Sequence, residues 1–207
     1  MGTHLTSITF RDIEKLKEPR HTYLDILIFD EQEVKEKIAN SKPIVKVFLS
    51  RLEPRQKYFQ NGRRLAPTLE SLEFAELIVV QKYLYDLSDI GRAMCLAIGR
   101  YAHNHFRPFV NDEQVDMDPF VSREHGLIFI NDKQEVCYHD IGTFKKGSTN
   151  GTKRNDISVV KNEILHWEPY EYFGLGETLN VVKAQERVME SKFKLRFQRL
   201  NPKGQAE

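Results

Sequence analysis

The residues that invite a chemical question lie in "DPFVSREHGLIFI", residues 118 to 130, where Ser122, Arg123 and His125 fall within four positions. A serine three residues before a histidine could be a nucleophile and its base. A hydrolytic triad also needs an orienting acid and an oxyanion hole, and the G-x-S-x-G elbow is absent, so the pair does not read as catalytic. His103-Asn104-His105 could ligate a metal. Two histidines with no carboxylate or cysteine cluster at a recognised spacing are a weak metal signal and read as loop residues instead. "GLGETLN" and "GSTNGT" both lack the Gly-Lys-Ser/Thr of a phosphate-binding P-loop and read as turns. Cys95 and Cys137 sit in apolar stretches, the setting of buried, unreactive thiols. These patterns call for no catalytic residue, no metal and no cofactor.

The elements that must hold these residues fall into two regions. From Thr9 to Lys42 the pattern is mostly helical. Thr9-Phe-Arg-Asp12 has the form of a capping box, with Phe10, Ile13 and Leu16 on one face and Pro19 as a stop. A second start follows Asp30, with Val34 and Ile38 four apart and "NSKP" as terminator. "YLDILIF" between them fits either a buried strand or a helix. "PIVKVFLSRL" reads as a strand and "RQKYFQNGRRLAP" as a loop with an Asn-Gly turn. After about residue 74 the chain turns into short β-rich runs at roughly ten-residue spacing: "LIVVQKYLY", "AMCLAIGR", "GLIFI", "EVCYHDI", "ISVV", "EYFGL" and "KFKLRFQRL". That spacing predicts a sandwich or barrel whose loops gather at its ends and carry the function.

The totals narrow the class. With 40% hydrophobic residues, thirteen Phe and eight Tyr in 207 residues, the chain can fill a core. Thirty-one Lys and Arg against thirty Asp and Glu leave a net charge of +1, so no bulk field points to nucleic acid or membrane. Residues 49 to 64 hold five basic residues against one acidic, with Tyr58 and Phe59 among them, the composition of a nucleic-acid contact or of a solvated loop. Two cysteines and no long apolar segment predict an intracellular protein, cytoplasmic or nuclear, with no membrane association.

Four signals follow one another in the second region: "IGR" at 98–100, "VSREH" at 121–125, "GSTNGT" at 147–152 and "WEPYEYFGLG" at 167–176. In this order and spacing they resemble the forkhead-associated (FHA) domain family, over roughly residues 74–200. The resemblance implies a mostly β fold, an eleven-stranded sandwich whose apical loops grip a phosphothreonine in an extended peptide. It casts Arg100 as the phosphate anchor, Ser122 as a hydroxyl donor, and Arg123 as added charge. Thr149 and Asn150 take the positions that touch the phosphate and the peptide backbone. Gly99, His125 and Gly151 support the loops, His125 facing inward and Gly151 supplying a positive φ. Compared with the family pattern, "HDIGTFKKGSTNGTKRND" holds about five extra residues between Asp140 and Ser148. Lys145 and Lys146 in that insertion, with Lys153 and Arg154 after the motif, are either accessory charge for the phosphate or solvated side chains.

The domain reading is residues 1–73 as a mixed, partly helical N-terminal extension or small partner-docking region, 74–200 as the FHA-like domain, and 201–207 as a tail. Helices this short need another surface to bury their apolar faces, which favours an extension packed on the sandwich. The expected function is a phosphothreonine-dependent adaptor whose partner is a phosphorylated protein or peptide, with room for a second protein partner at the N-terminal region. The alternatives are a constitutive scaffold using that region or a sandwich face, and an RNA-associated subunit using residues 49–64.

Overall fold

Along the chain run β1 (Thr6–Thr9), a 3-10 helix (Phe10–Lys17), β2 (Ile28–Phe29), α1 (Gln32–Ala39), β3 (Pro43–Gln56), β4 (Phe59–Gln60), β5 (Arg63–Arg64) and β6 (Leu72–Tyr85). A single 3-10 turn (Ser88–Ile90) leads into β7 (Arg92–Ile98), β8 (Gly126–Ile130), β9 (Val136–His139), β10 (Thr152–Arg154), β11 (Ser158–Val160), β12 (Ile164–His166), β13 (Phe173–Lys183) and β14 (Glu186–Arg199). The structure is a computed structural model and describes residues 5–18, 27–29, 31–56, 59–60, 63–64, 72–111, 113–114, 116–143, 146–183 and 186–201.

These strands form two six-stranded sheets, in the orders β12-β9-β8-β7-β1-β2 and β11-β10-β13-β14-β3-β6, beside the small β4-β5 hairpin. The mostly β, two-sheet sandwich expected from the sequence is what the chain forms. All the pairings between these strands are antiparallel. Strand β14 shows why the second sheet has an inside and an outside: Phe193, Leu195 and Phe197 face the core on alternate positions, and Lys194 and Arg196 fall between them. In the core Tyr138 stacks on Phe173 at 4.4 Å and Trp167 meets Phe197 edge-on at 4.9 Å. Burying each such ring is worth roughly 1.5–3 kcal/mol.

The first sheet is buried on both faces. Met94, Leu96 and Ile98 of β7 point to the inter-sheet core, whereas Ala93, Cys95 and Ala97 join a second cluster with Ile8, Leu16, Leu127 and Phe129. Continuous apolar runs such as "AMCLAI" and "GLIFI" follow from this double cover. The cover comes from the N-terminal segment, whose 3-10 helix lays Phe10, Ile13 and Leu16 on that face. Its start is capped as the sequence predicts, Asp12 N donating to Thr9 Oγ1 at 3.2 Å. At α1, Val34 is buried and Ile38 packs on the inter-sheet core; Asp30 lies outside the described residues, as do Pro19 and residues 23–26 of "YLDILIF".

Strand β1, which the sequence pattern did not announce, lies between β7 and β2. Strand β3 lies between β14 and β6 in the other sheet. Residue 73, the expected end of the extension, falls within β6. The tail beyond Asn201 lies outside the described residues.

Candidate functional site

Three loops meet at one end of the sandwich: residues 99–107 after β7, 118–125 before β8, and 140–151 between β9 and β10. The first two are stitched together by backbone. Arg100 N donates to Ser122 O and Tyr101 N to Arg123 O, both at 3.1 Å. Asn104, almost fully buried, adds Nδ2 bonds to Tyr101 O at 3.2 Å and Arg123 O at 2.9 Å. Gly99 sits where the strands leave no room: a Cβ there would collide with the Arg123 carbonyl, and its φ of 152° is one that side chains rarely adopt.

Arg100, half-buried, donates from Nε to Val121 O at 2.6 Å. That bond fixes the plane of the guanidinium and leaves its two terminal nitrogens without a partner among the described residues, a preorganised fork for an anion. Ser122 answers the question its spacing posed. Its backbone N, not its hydroxyl, meets His125 Nδ1 at 3.1 Å, while its Oγ accepts from Thr149 N at 3.0 Å. No base takes the Ser122 proton in this geometry, and the hydroxyl hydrogen is free to donate outward. His125 therefore works from behind, as an acceptor for the Ser122 backbone.

Behind the loops lies a buried polar cluster centred on Asp140. Its carboxylate accepts from Ser148 N, from Ser148 Oγ at 2.7 Å and from Thr152 Oγ1 at 2.6 Å. Thr152 Oγ1 also meets Tyr138 OH at 2.7 Å and His125 Nε2 at 3.2 Å. With Nδ1 accepting, Nε2 carries the proton, so the imidazole is the neutral tautomer. Burial holds its pKa below the ordinary 6.5, against the pull of Asp140 3.6 Å away. Burial likewise raises the Tyr138 phenol far above its usual value. Every member of this cluster is satisfied, which is what makes a buried polar network rigid.

The cluster delivers Thr149 and Asn150, both exposed, to the apex next to Ser122. Asn150 Nδ2 donates to Phe120 O at 2.8 Å, tying the third loop to the second, and its Oδ1 has no partner among the described residues. Gly151, at φ 74°, makes the turn into β10; a Cβ there would collide with Val159. The structure thus brings Arg100, Ser122, Arg123, Thr149 and Asn150 to one apex, over Gly99, His125 and Gly151. Arg123 is exposed, its guanidinium 5.9 Å from the Tyr101 ring.

The basic residues around the third loop part ways. Lys145 lies outside the described residues. Lys146 is exposed. Lys153 reaches along the outer face of the second sheet to Thr178 Oγ1. Arg154 forms a two-pronged pair with Glu171, Nε to Oε1 at 2.7 Å and Nη2 to Oε2 at 2.8 Å, which takes up its charge. Lys161, which no motif marks, comes to the site instead: its Nζ donates to Thr149 O at 2.7 Å. Its only sequence signal is a lysine nine residues past "GSTNGT", at the far end of the β10–β11 hairpin.

Elsewhere the candidates turn inward. His105 Nδ1 accepts from Ala97 N at 2.9 Å, and His103 lies 3.8 Å from Glu124, whose carboxyl burial pushes up to about 6. Among the described residues no three His, Cys, Asp or Glu side chains are grouped to hold a metal ion. Both thiols are free and buried, Cys137 pushed up to about 12 chiefly by burial. Of residues 49–64, Arg51 is buried, and Lys57, Tyr58, Asn61 and Gly62 lie outside the described residues. No described helix is long and apolar enough to cross a membrane.

Residues 96–170 match the family model of the FHA domain, a segment that contains all three apical loops. Among solved structures, an engineered FHA with Myc-pTBD peptide shares 15% identity, covering 78% of this chain and 94% of its own, with a TM-score of 0.38. The N-terminal FHA domain of S. cerevisiae Rad53p, in complex with a phosphothreonine peptide, shares 15% over 74% of this chain and 91% of its own, with a TM-score of 0.34. No curated protein matches the chain.

Proposed function

We propose that the chain is a phosphothreonine-dependent adaptor that holds a phosphorylated partner protein at the apex of its FHA-like sandwich, and that it binds without catalysing. The observation that carries this reading is the convergence, within the segment matching the FHA model, of the Arg100 fork, the outward Ser122 hydroxyl and Thr149, with no carboxylate among the described residues paired to Arg100. An uncompensated cation with hydroxyl donors beside it is a site for an anion. A phosphothreonine brings roughly 1.5 to 2 negative charges and three acceptor oxygens at neutral pH. Charge-assisted bonds of this type are worth roughly 1.5–3 kcal/mol each.

The loops spend little entropy on binding because their donors are already fixed by Val121 O, Thr149 N and Phe120 O. Asn150 then reads the peptide backbone, and Arg123 and Lys161 add positive potential at the rim. Removing the phosphate leaves only backbone contacts, so the partner's kinase and phosphatase set the bound fraction.

Calorimetric titration tests this with an oriented library of extended peptides carrying phosphothreonine, phosphoserine or threonine. Binding of the phosphothreonine set alone, lost in Arg100→Ala, is the expected result. Equal binding of the unphosphorylated set, or binding that survives Arg100→Ala, overturns the proposal.

A further inference from the structure

A sheet edge presents a row of backbone N–H and C=O groups that another extended chain can pair with. The two sheets have four edges. Three are blunted by shortness, β2 having two residues and β11 and β12 three each. The fourth is β6, fourteen residues long. No described strand lies beyond it, and no backbone bond from a described loop reaches residues 72–85. The segment "LEFAELIVVQKYLY" has no proline, and Ile78 near its middle is 61% exposed. Such an edge is either protected or used.

Against the middle of this edge lies a groove of about 340 Å³, lined by Leu77 and Val79 of β6 and by Arg51, Arg107, Phe109 and Asn111. Arg51 is occupied, donating from Nη1 to Phe109 O at 2.8 Å and pairing with Glu53. Arg107 is not matched in this way. Its guanidinium lies 4.7 Å from the Phe109 ring centre and its Nη2 meets the Met117 sulfur at 3.6 Å. Its buried Nε has no hydrogen-bond partner among the described residues. The residue as a whole is partly exposed and has no carboxylate paired to it among the described residues, which makes its guanidinium a site for one.

We propose that β6 and this groove form a second docking surface, which takes an extended segment of another polypeptide as an added strand and directs an acidic side chain of that segment to Arg107. Main-chain pairing supplies affinity and the groove supplies selectivity. A second copy of this chain fits poorly, because two-fold pairing centred on residues 77–80 would bring two arginine-lined grooves face to face. In the second sheet β6 stands four strand positions from β10, roughly 19 Å at about 4.8 Å per strand. Arg107 closes the loop that opens with Gly99 and Arg100, but Arg100, Ser122, Thr149 and Asn150 take no part in lining the groove, so the two surfaces use different side chains and both can be occupied together.

The test pans a phage library of random twelve-residue segments over the full chain, then measures the enriched segments as synthetic peptides by fluorescence anisotropy. The expected result is enrichment of alternating apolar sequences with an Asp or Glu near the centre. Their affinity should fall at least tenfold in Arg107→Gln and should be lost when the peptide backbone is N-methylated on its pairing edge. It should be unchanged in Arg100→Ala. N-methylation alters only the peptide, so that arm does not depend on a variant folding. Four results would overturn the proposal: no enrichment, equal binding of neutral-centred peptides, equal binding after N-methylation, or a concentration-dependent doubling of mass with slowed amide exchange over residues 72–85.

Discussion

Basic side chains occur at the apex and across the outer face of the second sheet, and the two regions treat them in opposite ways. On the outer face Lys194, Arg196 and Arg154 each have a built-in counter-charge, while Lys153 is bonded to the Thr178 hydroxyl. Lys194, 3% exposed, pairs with Glu190 at 2.8 Å and lies over the Tyr172 ring; Arg196 pairs with Glu76; Arg154 forks onto Glu171. Tyr172 also donates to Asp156, which accepts from Ser191 Oγ at 2.5 Å. At the apex Arg100 is held by a carbonyl and Lys161 by another, so their orientation is fixed while their charge is left unpaired. The first arrangement stores its electrostatics inside the fold. The second leaves them available to the ligand proposed for the apex.

Asp140→Ala tests the apex at its root and should have the largest effect. The carboxylate is fully buried and accepts from three donors, two of them on Ser148 and one on Thr152. Leaving those donors unmet costs on the order of 3 kcal/mol of stability, visible in thermal melts. Phosphopeptide affinity should fall with it, because Ser148 and Thr152 flank the segment that carries Thr149 and Asn150. A variant that melts normally yet loses binding would show that the network orients the loops without stabilising them.

The contrast between the two regions is sharpest in a reciprocal pair. Arg100→Ala should lower phosphothreonine affinity by roughly tenfold to a hundredfold, about 1.5–3 kcal/mol, and leave the melting curve in place. Arg154→Ala should do the reverse. It leaves Glu171, 7% exposed, without its partner and costs about 2 kcal/mol of stability, less than a fully buried pair because Arg154 is partly solvated. If Arg154→Ala weakened binding while the fold stayed intact, its charge would belong to the apex after all.

That Arg154 and Lys161 stand in different regions could not be read from their positions in the chain. Both follow "GSTNGT". Which of them faces the apex depends on the antiparallel turn between β10 and β11, where Lys153 pairs with Val159, and on Glu171 arriving from seventeen residues away. Gly99, Arg100, Ser122, His125 and Asn150 could be picked out because they stand in short motifs whose order and spacing resemble those of the FHA family. Their partners, which the motifs do not show, come from other loops, Arg100 meeting Val121, Ser122 meeting Thr149 and Asn150 meeting Phe120. Strands with long apolar runs, β6 to β8 and β14, were legible from their own sequence. Strand β1 was not, since "TSIT" contributes one apolar side chain and earns its place through pairing with β7. Edge and centre were indistinguishable too: "LIVVQKYLY" and "GLIFI" are both apolar runs, yet one ends a sheet and the other is buried within it.

Acid should unsettle the apex before the outer face. The unfolded chain takes up a proton at a histidine near pH 6.5, whereas folded His125 resists it, so its contribution to stability is present above 6.5 and lost as pH falls. Protonation would also set an N–H against Ser122 N, which now donates to Nδ1. Glu124 acts with the opposite sign: raised to about 6 from 4.5, it makes the fold lose stability as pH rises between those values. Glu124→Gln removes that opposing slope, so its stability should fall more steeply than the wild type's on acidification below pH 6. Equal acid limbs in denaturant titrations would mean that Glu124 is solvated in the folded protein.

The smallest expected effect belongs to Lys161, and it discriminates between two uses of a lysine. Its Nζ holds the Thr149 carbonyl, so Lys161→Met removes one charge-assisted bond that orders the loop and one positive charge near the phosphate. Loss of affinity of a few fold is expected, about 1 kcal/mol, since the side chain is exposed and its field is screened by salt. Lys161→Arg restores a cation able to reach the same carbonyl. If ordering is what matters, Lys161→Met should lower affinity at every salt concentration. If Lys161 works as charge alone, the difference should vanish by about 1 M salt, where the screening length is about 3 Å. The first outcome would make Lys161 a loop tether, and the second would make it part of the field that distinguishes the apex from the paired cations of the outer face.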